Sequence, residues 1–538
     1  MSTSSEFERA ELADRHTDTL GGRLAALDAV APTSVCIVVS QHAAQTRSGQ
    51  LIATFVANLL GRIEGVVQSI QVLVEGSDPL LFSSIDPRDR YGASCLSEAV
   101  LRNGALSSAG RVVGTGEPGT TIYLGIGRPA KKCQLYASAS EWGAYIGSGP
   151  GPEVTGHGEI AVGAIVAASF AAAEVFRSLR GRGALATLTS FLCFDVWEWK
   201  AMPAQADSDA GVVEAVFARI DRNAGVAPGL PLPAFTLVGL GAVGCAFMLT
   251  LWASRTSVRA TIIDRDVVAR SNLNRYTLFS LEDLKHLKVD RAKTLLAGEN
   301  FELNARPVWW SEYARVEGSA AGAEPVLISA VDTNTARHQL QDALPGLILG
   351  ASTHELRVEV GRYALSDEKS RCLKCFNEPE ATEDDLALKR RLMGMESEEL
   401  EQYARERDVS VHALFAFVDD LRKGGDGCAL LGGETLNKLR LEGSQRQFAV
   451  SFVSSLGGAL LAAQFFREAA GRPLLIPPNT RAVFQLWRPG AVSNSLYAAP
   501  RQPRCWCESP DVRMVHRQTW IGQRLSKRSG ANDDDALV

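Results

Sequence analysis

Three glycines, and the charged residues that follow them, carry most of the chemistry legible in this chain. Gly239, Gly241 and Gly244 form a GxGxxG turn after the apolar run Phe235–Val238, and a helical apolar pattern follows. Asp264 stands twenty residues past the last glycine, at the end of a second apolar run, Arg259–Ile263. In such a βαβ unit the glycines let the backbone approach phosphate at a helix N-terminus, and the acid holds a ribose hydroxyl. On these features alone a dehydrogenase is the usual expectation. The continuation argues against it. Asp264-Arg265-Asp266 is succeeded by Ser271-Asn272-Leu273-Asn274-Arg275, and later by Lys288. A nicotinamide site has no need for this dense set of polar and cationic groups. A triphosphate does, because its charge must be neutralised where it is attacked. There is no GxxxxGK[ST] loop, which excludes a P-loop ATPase.

A second constellation is made of thiols. Cys372-Leu-Lys-Cys375 is a hairpin with zinc spacing, and Cys505-Trp-Cys507 follows 130 residues after Cys375. Four thiolates give a closed tetrahedral structural site without an open position for catalysis. The competing reading is four ordinary thiols or a disulfide. A metal at these four residues would pin the C-terminal part of the chain onto the glycine-turn domain. The N-terminal stretch MSTSSEFERAELADRH has no apolar core, so a cytoplasmic location with reduced thiols is expected.

The elements that must position these groups come in two related sets. At 538 residues the chain should hold two or more domains. Residues 162–182 and 452–472 match at an offset of 290: Ala172, Ala173, Phe176, Arg177, Gly181 and Arg182 meet Ala462, Ala463, Phe466, Arg467, Gly471 and Arg472. At the same offset Phe194 and Trp197 meet Phe484 and Trp487. Each half therefore has a long small-residue helix followed by a strand. The starts correspond too, since TSVCIVVSQHAAQ (33–45) is a strand-then-helix pattern like AFTLVGLGAVG (234–244), but without a glycine fingerprint. The economical fold class is α/β, with two Rossmann-like domains, one with nucleotide chemistry and one without. The expected divisions are 1–205, 206–510, a helical insertion at 377–446 and a C-terminal tail at 511–538 that reads as disordered. The run Ile160–Phe176 is near the lower length limit for a membrane span, is rich in Ala and carries Glu174, so it reads as a buried core helix. With a net charge of −5 and no sustained basic patch, nucleic acid is a poor partner.

The glycine turn, DxD, SNLNR, the downstream lysine, AVDTNTARHQL (330–340), CLKCF (372–376) and the terminal cysteine pair together resemble the ubiquitin-activating and sulfur-carrier-activating adenylyltransferases, of ThiF-like fold. The resemblance covers residues 230–507. It implies that the C-terminal glycine carboxylate of a ubiquitin-like protein attacks the α-phosphate of ATP, forming an acyl adenylate and releasing pyrophosphate. It further implies that Asp264 binds ribose with Asp266 beside it, that Asn272, Arg275 and Lys288 hold phosphates, and that Asp332 binds Mg²⁺. The layout looks like an inactive and an active adenylation domain fused as a single-chain pseudo-dimer, with further dimerisation left open. The ubiquitin branch of the family places its catalytic-cysteine region where the insertion stands. The insertion has one cysteine, Cys428 in GGDGCALLGGETL, the candidate thioester nucleophile that would pass its cargo to a conjugating enzyme. Arg15, upstream of the first strand, stands where homodimeric relatives carry an arginine that reaches the partner's ATP. The overall layout resembles bacterial ubiquitination-like systems, often linked with phage defence. The alternatives are a sulfur-carrier adenylyltransferase without thioester transfer, and a noncatalytic nucleotide-binding scaffold.

Overall fold

The computed structural model describes residues 33–63, 66–80, 87, 93–107, 121–155, 159–180, 188–202, 210–226, 229–298, 300–316, 325–354, 356–365, 371–377, 382–407, 409–423, 450–472, 476, 480–486, 495–498 and 505–529. The chain divides into two compact units, one of Ala31–Asn377 with Ser451–Val538 and one of Met1–Val30 with Glu378–Val450.

The larger unit holds two mixed sheets rich in parallel strands. The first contains β1 (Thr33–Val39), β2 (Val67–Val74), β3 (Thr121–Ile126), β4 (Leu135–Ala139), β5 (Gly143–Gly147), β6 (Phe191–Asp195) and β7 (Lys200–Met202), in the order β2-β1-β3-β4-β5-β6-β7. Strands β1 to β4 are parallel, and β5 to β7 continue the sheet antiparallel. The second contains β8 (Phe235–Val238), β9 (Val258–Ile263), β10 (Phe301–Arg306), β11 (Val326–Ser329), β12 (Leu347–His354), β13 (Arg357–Tyr363), β14 (Thr480–Gln485) and β15 (Ser495–Ala498), in the order β10-β9-β8-β11-β12-β13-β14-β15. Its parallel part ends at β12 and its antiparallel part starts at β13. The two orders superpose when β1 is set on β8, with β10 as an added edge strand.

The helices that matter to the site are α1 (Arg47–Gly61), α2 (Val162–Arg180), α3 (Ala242–Ala253), α4 (Lys288–Leu295), α5 (Asn334–Asp342) and, beyond the smaller unit, α9 (Ser451–Ala469). Helices α2 and α9 are the repeated small-residue helices, and they pack on each other. A helix apolar on every side must be buried on every side. Accordingly Val162–Leu179 is long and apolar enough to cross a membrane, yet 94% of it is buried within the fold. Small residues make the approach possible. A Cβ on Gly458 would lie 2.5 Å from Phe247 N of α3, so α9 can sit on α3 only with glycine there. Repeat-related side chains meet across the junction, with Phe194 and Phe484 edge to face at 6.1 Å. Arg467 of α9 donates to Trp197 O at 2.8 Å. Trp487, the repeat partner of Trp197, lies outside the described residues.

Among its described residues the smaller unit shows three helices, α6 (Thr382–Gly394), α7 (Ser397–Glu406) and α8 (Val411–Arg422), around a core of their own. Leu392, Leu400, Tyr403, Leu414, Phe417, Val418 and Leu421 build that core at helical spacing. Cys428 and Arg15 lie outside the described residues.

The C-terminal tail departs from expectation. Residues Pro510–Ser529 form a helix, α10, where disorder was expected. Its sequence is polar and charged, so composition hid two anchors. Trp520 Nε1 donates to Leu344 O at 3.0 Å, and the ring of buried His516 faces Pro345 O at 3.0 Å.

Candidate active site

The carboxyl ends of three parallel strands lie side by side, because Val238 of β8 pairs with Ile263 of β9 and with Ser329 of β11. The chain leaves β8 toward β9 and β10 on one side and later returns to β11 and β12 on the other. That reversal opens a crevice at the strand ends, the place where open α/β sheets bind ligands.

The glycine turn shapes this crevice. Gly239 has φ +91°, and a Cβ there would lie 2.7 Å from Ala330 O, so the turn after β8 runs against the segment after β11. A Cβ on Gly244 would come within 2.2 Å of Gly239 O, so α3 starts tightly under the turn. Gly241 is the N-cap of α3, which leaves the first backbone N–H groups of that helix facing the crevice.

Asp264 follows β9 and closes the turn from the other side. Its carboxylate accepts from Leu240 N at 2.7 Å and from Asp266 N at 2.9 Å. Lys288, the first residue of α4 and only 3% exposed, lies 2.8 Å from Asp266 Oδ2 and 3.7 Å from Asp264 Oδ2. Burial opposes the lysine's charge, but Tyr276, Asp264 and Asp266 outweigh it and hold the ammonium above the ordinary lysine range. Burial pushes the Asp264 carboxyl up, and Lys288 pulls it back. The Tyr276 hydroxyl is 3.5 Å from Lys288 Nζ, and a Cβ on Gly241 would lie 3.7 Å from it. Tyr276 therefore links the turn to the lysine. It escaped sequence reading, although it directly follows SNLNR.

The SNLNR segment is a short 3-10 turn, Arg270–Asn272, leading into Leu273–Phe279. Asn272 Oδ1 accepts from Ala269 N at 3.0 Å, and Arg275 donates to Ser271 O at 2.8 Å and Asn274 Oδ1 at 2.9 Å. The structure thus brings together Gly239, Gly241, Gly244, Asp264, Asp266 and Lys288, with Asn272 and Arg275 on the loop that carries Tyr276.

Asp332 is exposed, two residues past Ala330, where the chain turns from β11 into α5. Thr333 caps α5 by accepting from Ala336 N, so the Asp332 carboxylate is not spent on the cap. Arg337 fixes this corner, donating to Val331 O at 3.0 Å and Asn334 Oδ1 at 2.6 Å. Beside it, Arg337, Ser352, Glu359, Tyr363 and Arg481 line a small pocket, partly open to solvent.

The equivalent corner of the first sheet is built differently. Gly127 has φ +70°, and a Cβ there would lie 2.7 Å from both Glu153 Oε2 and Ser40 Oγ. A carboxylate thus stands at the end of β1, where a phosphate would need N–H groups and cations.

Cys372, Cys375, Cys505 and Cys507 do converge. Their Sγ atoms lie within 4.8 Å of one another, with neighbouring pairs at 3.4–3.7 Å. A tetrahedron with zinc–sulfur arms of about 2.3 Å has edges of roughly 3.8 Å, so the donor set fits zinc. The neighbouring Cys372 and Cys375 thiols lower the pKa of Cys507 and so favour a thiolate there. The knuckle is tied to α5 at the end remote from Asp332: Leu373 N donates to Gln341 Oε1 at 2.8 Å, and Lys374 pairs with Asp342. Cys375→Ser is therefore expected to lower bound zinc from about one per chain to near zero. It should also destabilise the larger unit by about 2–5 kcal/mol, in the range of lost structural links. Elemental mass spectrometry and thermal melts check both. Full-stoichiometry zinc in the variant would contradict the assignment.

Comparison with known proteins gives two family matches: the ThiF family over residues 234–507 and the BilD N-terminal domain over residues 34–193. The uncharacterized protein y4jF of Sinorhizobium fredii (strain NBRC 101917 / NGR234) is 26% identical over 430 residues, spanning 74% of this chain and 77% of its own length. Among solved structures, E. coli MccB with ATP has 14% identity and a TM-score of 0.35, covering 70% of this chain and 97% of MccB. MccB with selenomethionine MccA has 15% identity and a TM-score of 0.33, covering 51% of this chain and 66% of that one.

Proposed function

We propose that this chain, which belongs to the ThiF family, activates the C-terminal glycine of a ubiquitin-like protein by adenylation with ATP, and then carries it as a thioester on Cys428. Adenylyl transfer follows from the family. The ubiquitin-like acceptor, the thioester and the onward transfer to a conjugating enzyme go further. The observation that carries the reading is the meeting of the glycine turn, the Asp264–Lys288–Asp266 cluster and the exposed Asp332 at the carboxyl ends of β8, β9 and β11.

The chemistry asks for what that crevice offers. An acceptor carboxylate oxygen attacks the α-phosphorus, a P–O–P bond breaks, and pyrophosphate leaves. An anion attacking a polyanion needs positive charge placed beforehand. Lys288 and the N-terminus of α3 supply fixed positive charge, and Arg275 extends it along the loop. Asp264 is suited to a ribose hydroxyl, since its carboxylate is already oriented by two backbone donors. Mg²⁺ would be held by Asp332, with phosphates and water filling its shell, and it supplies charge neutralisation and geometry. The Cys428 thiolate would then attack the activated carbonyl, and AMP leaves. Zinc on the four cysteines would have a structural part only.

The first half, residues 1–205, takes the part of the inactive domain. Support comes from Glu153 at the end of β1 and from the BilD N-terminal match, which favours a bacterial ubiquitination-like pathway over a sulfur-carrier one. The test is ATP–pyrophosphate exchange with candidate ubiquitin-like proteins ending in glycine. Exchange that needs the terminal glycine supports the reading. Exchange driven equally by a partner lacking that glycine would contradict it.

A further inference from the structure

We propose that Arg62, supplied by the first half of the chain, is a positioning residue that sets the phosphate-side loop Leu273–Phe279 of the second half; this rests on the nucleotide reading of that loop. Arg62 ends α1 as its C-cap and is 1% exposed. Its Nη1 donates to Leu273 O at 2.6 Å, and its Nη2 to Phe279 O at 2.8 Å and Thr277 O at 3.3 Å. Its Nε donates to Asn58 Oδ1 at 2.7 Å, and Asn58 Nδ2 donates in turn to Thr277 O at 3.3 Å.

A buried guanidinium is costly unless its donors are used, and here both Nη groups are spent on the carbonyls of one loop. The loop needs such a partner. Its own backbone bonds are short turns: Tyr276 N to Asn272 O at 3.0 Å and Phe279 N to Tyr276 O at 3.2 Å. No strand pairing holds it among the described residues. The first half adds a second anchor just beyond, Leu281 N to Leu106 O at 3.1 Å. Between the gripped carbonyls stand Asn274, Arg275 and Tyr276, and Tyr276 reaches Lys288. A half with no nucleotide turn of its own thus fixes the loop that faces the nucleotide in the other half. Arg62 does so through backbone carbonyls, so its effect on chemistry passes through the loop.

The test uses Arg62→Met and Arg62→Lys in the full chain, with hydrogen exchange and steady-state ATP–pyrophosphate exchange. Amides at 273–281 should exchange about tenfold faster in Arg62→Met, as expected for losing one or two net hydrogen bonds, while β8 and β11 keep their protection. The KM for ATP should rise on the order of 10²-fold, more than kcat falls, because the loop positions phosphates. Arg62→Lys should recover part of this, since lysine keeps the charge but cannot span three carbonyls in a fixed fork. If Arg62→Met does not fold, Arg62→Lys carries the test. Unchanged exchange at 273–281, or acceleration spread evenly over the chain, would overturn the proposal. Wild-type protein inert with every partner would count against the adenylation reading, and the loop's hydrogen exchange would still decide the role of Arg62.

Discussion

Asp332→Ala is expected to lower ATP–pyrophosphate exchange by 10²–10³-fold or more, on the scale of removing a group that neutralises transition-state charge. The melting temperature should stay within about 2 °C of wild type, as for an exposed substitution outside the core. The separation is possible because of where Asp332 stands. It is exposed at the corner after β11, Thr333 supplies the cap of α5, and Arg337 holds the corner through Val331 O and Asn334. The side chain is therefore available to a cation rather than committed to the fold. Wild-type exchange in a folded Asp332→Ala would remove it from the mechanism.

Lys288→Met is expected to cost both activity and stability. Lys288 is buried between two carboxylates. Breaking a buried pair costs about 3–5 kcal/mol, but the Asp266 side chain is 56% exposed. Asp264 also keeps its two backbone donors, so about 1–3 kcal/mol is the better expectation after discounting for solvent. Exchange should fall about 10²-fold or more, since the fixed cation is lost. The pH dependence has a definite sign. In wild type the lysine is held above its ordinary value, so its own titration alters stability only as pH rises above about 10.4, and between pH 4 and 8 the pH dependence comes from the carboxyl paired with it. In the variant, Asp264 keeps the upward push of burial without the opposing lysine. A carboxyl raised on folding disfavours the folded state as it ionises. The deficit against wild type should therefore be small near pH 4 and grow toward pH 8. Melts at both pH values check this, and an equal deficit at each would contradict the assigned coupling.

Local patterns in the sequence reached the second sheet well. GxGxxG fixes a turn with a positive φ at Gly239, and the acid after β9 falls within reach of Leu240 N. Cysteine spacing likewise brought two distant pairs to one point. Contacts that depend on tertiary folding were not legible. Arg62 looks like any helix-end arginine in the sequence, and only the packing of α1 on the second half aims it at Leu273 O and Phe279 O. Glu153 belongs to no motif, yet the fold sets it against Ser40 at the end of β1. The helix α10 was missed because two anchoring side chains, His516 and Trp520, are too few to raise an apolar signal in a charged segment.

The central claim is activation followed by thioester formation. Its most direct test is intact-mass spectrometry after incubation with ATP, Mg²⁺ and a ubiquitin-like partner ending in glycine, with and without dithiothreitol, beside Cys428→Ala. The account predicts an adduct of the partner's mass less one water, removed by thiol and absent from Cys428→Ala. Adenylate formation without any covalent adduct would contradict it and favour a sulfur-carrier adenylyltransferase.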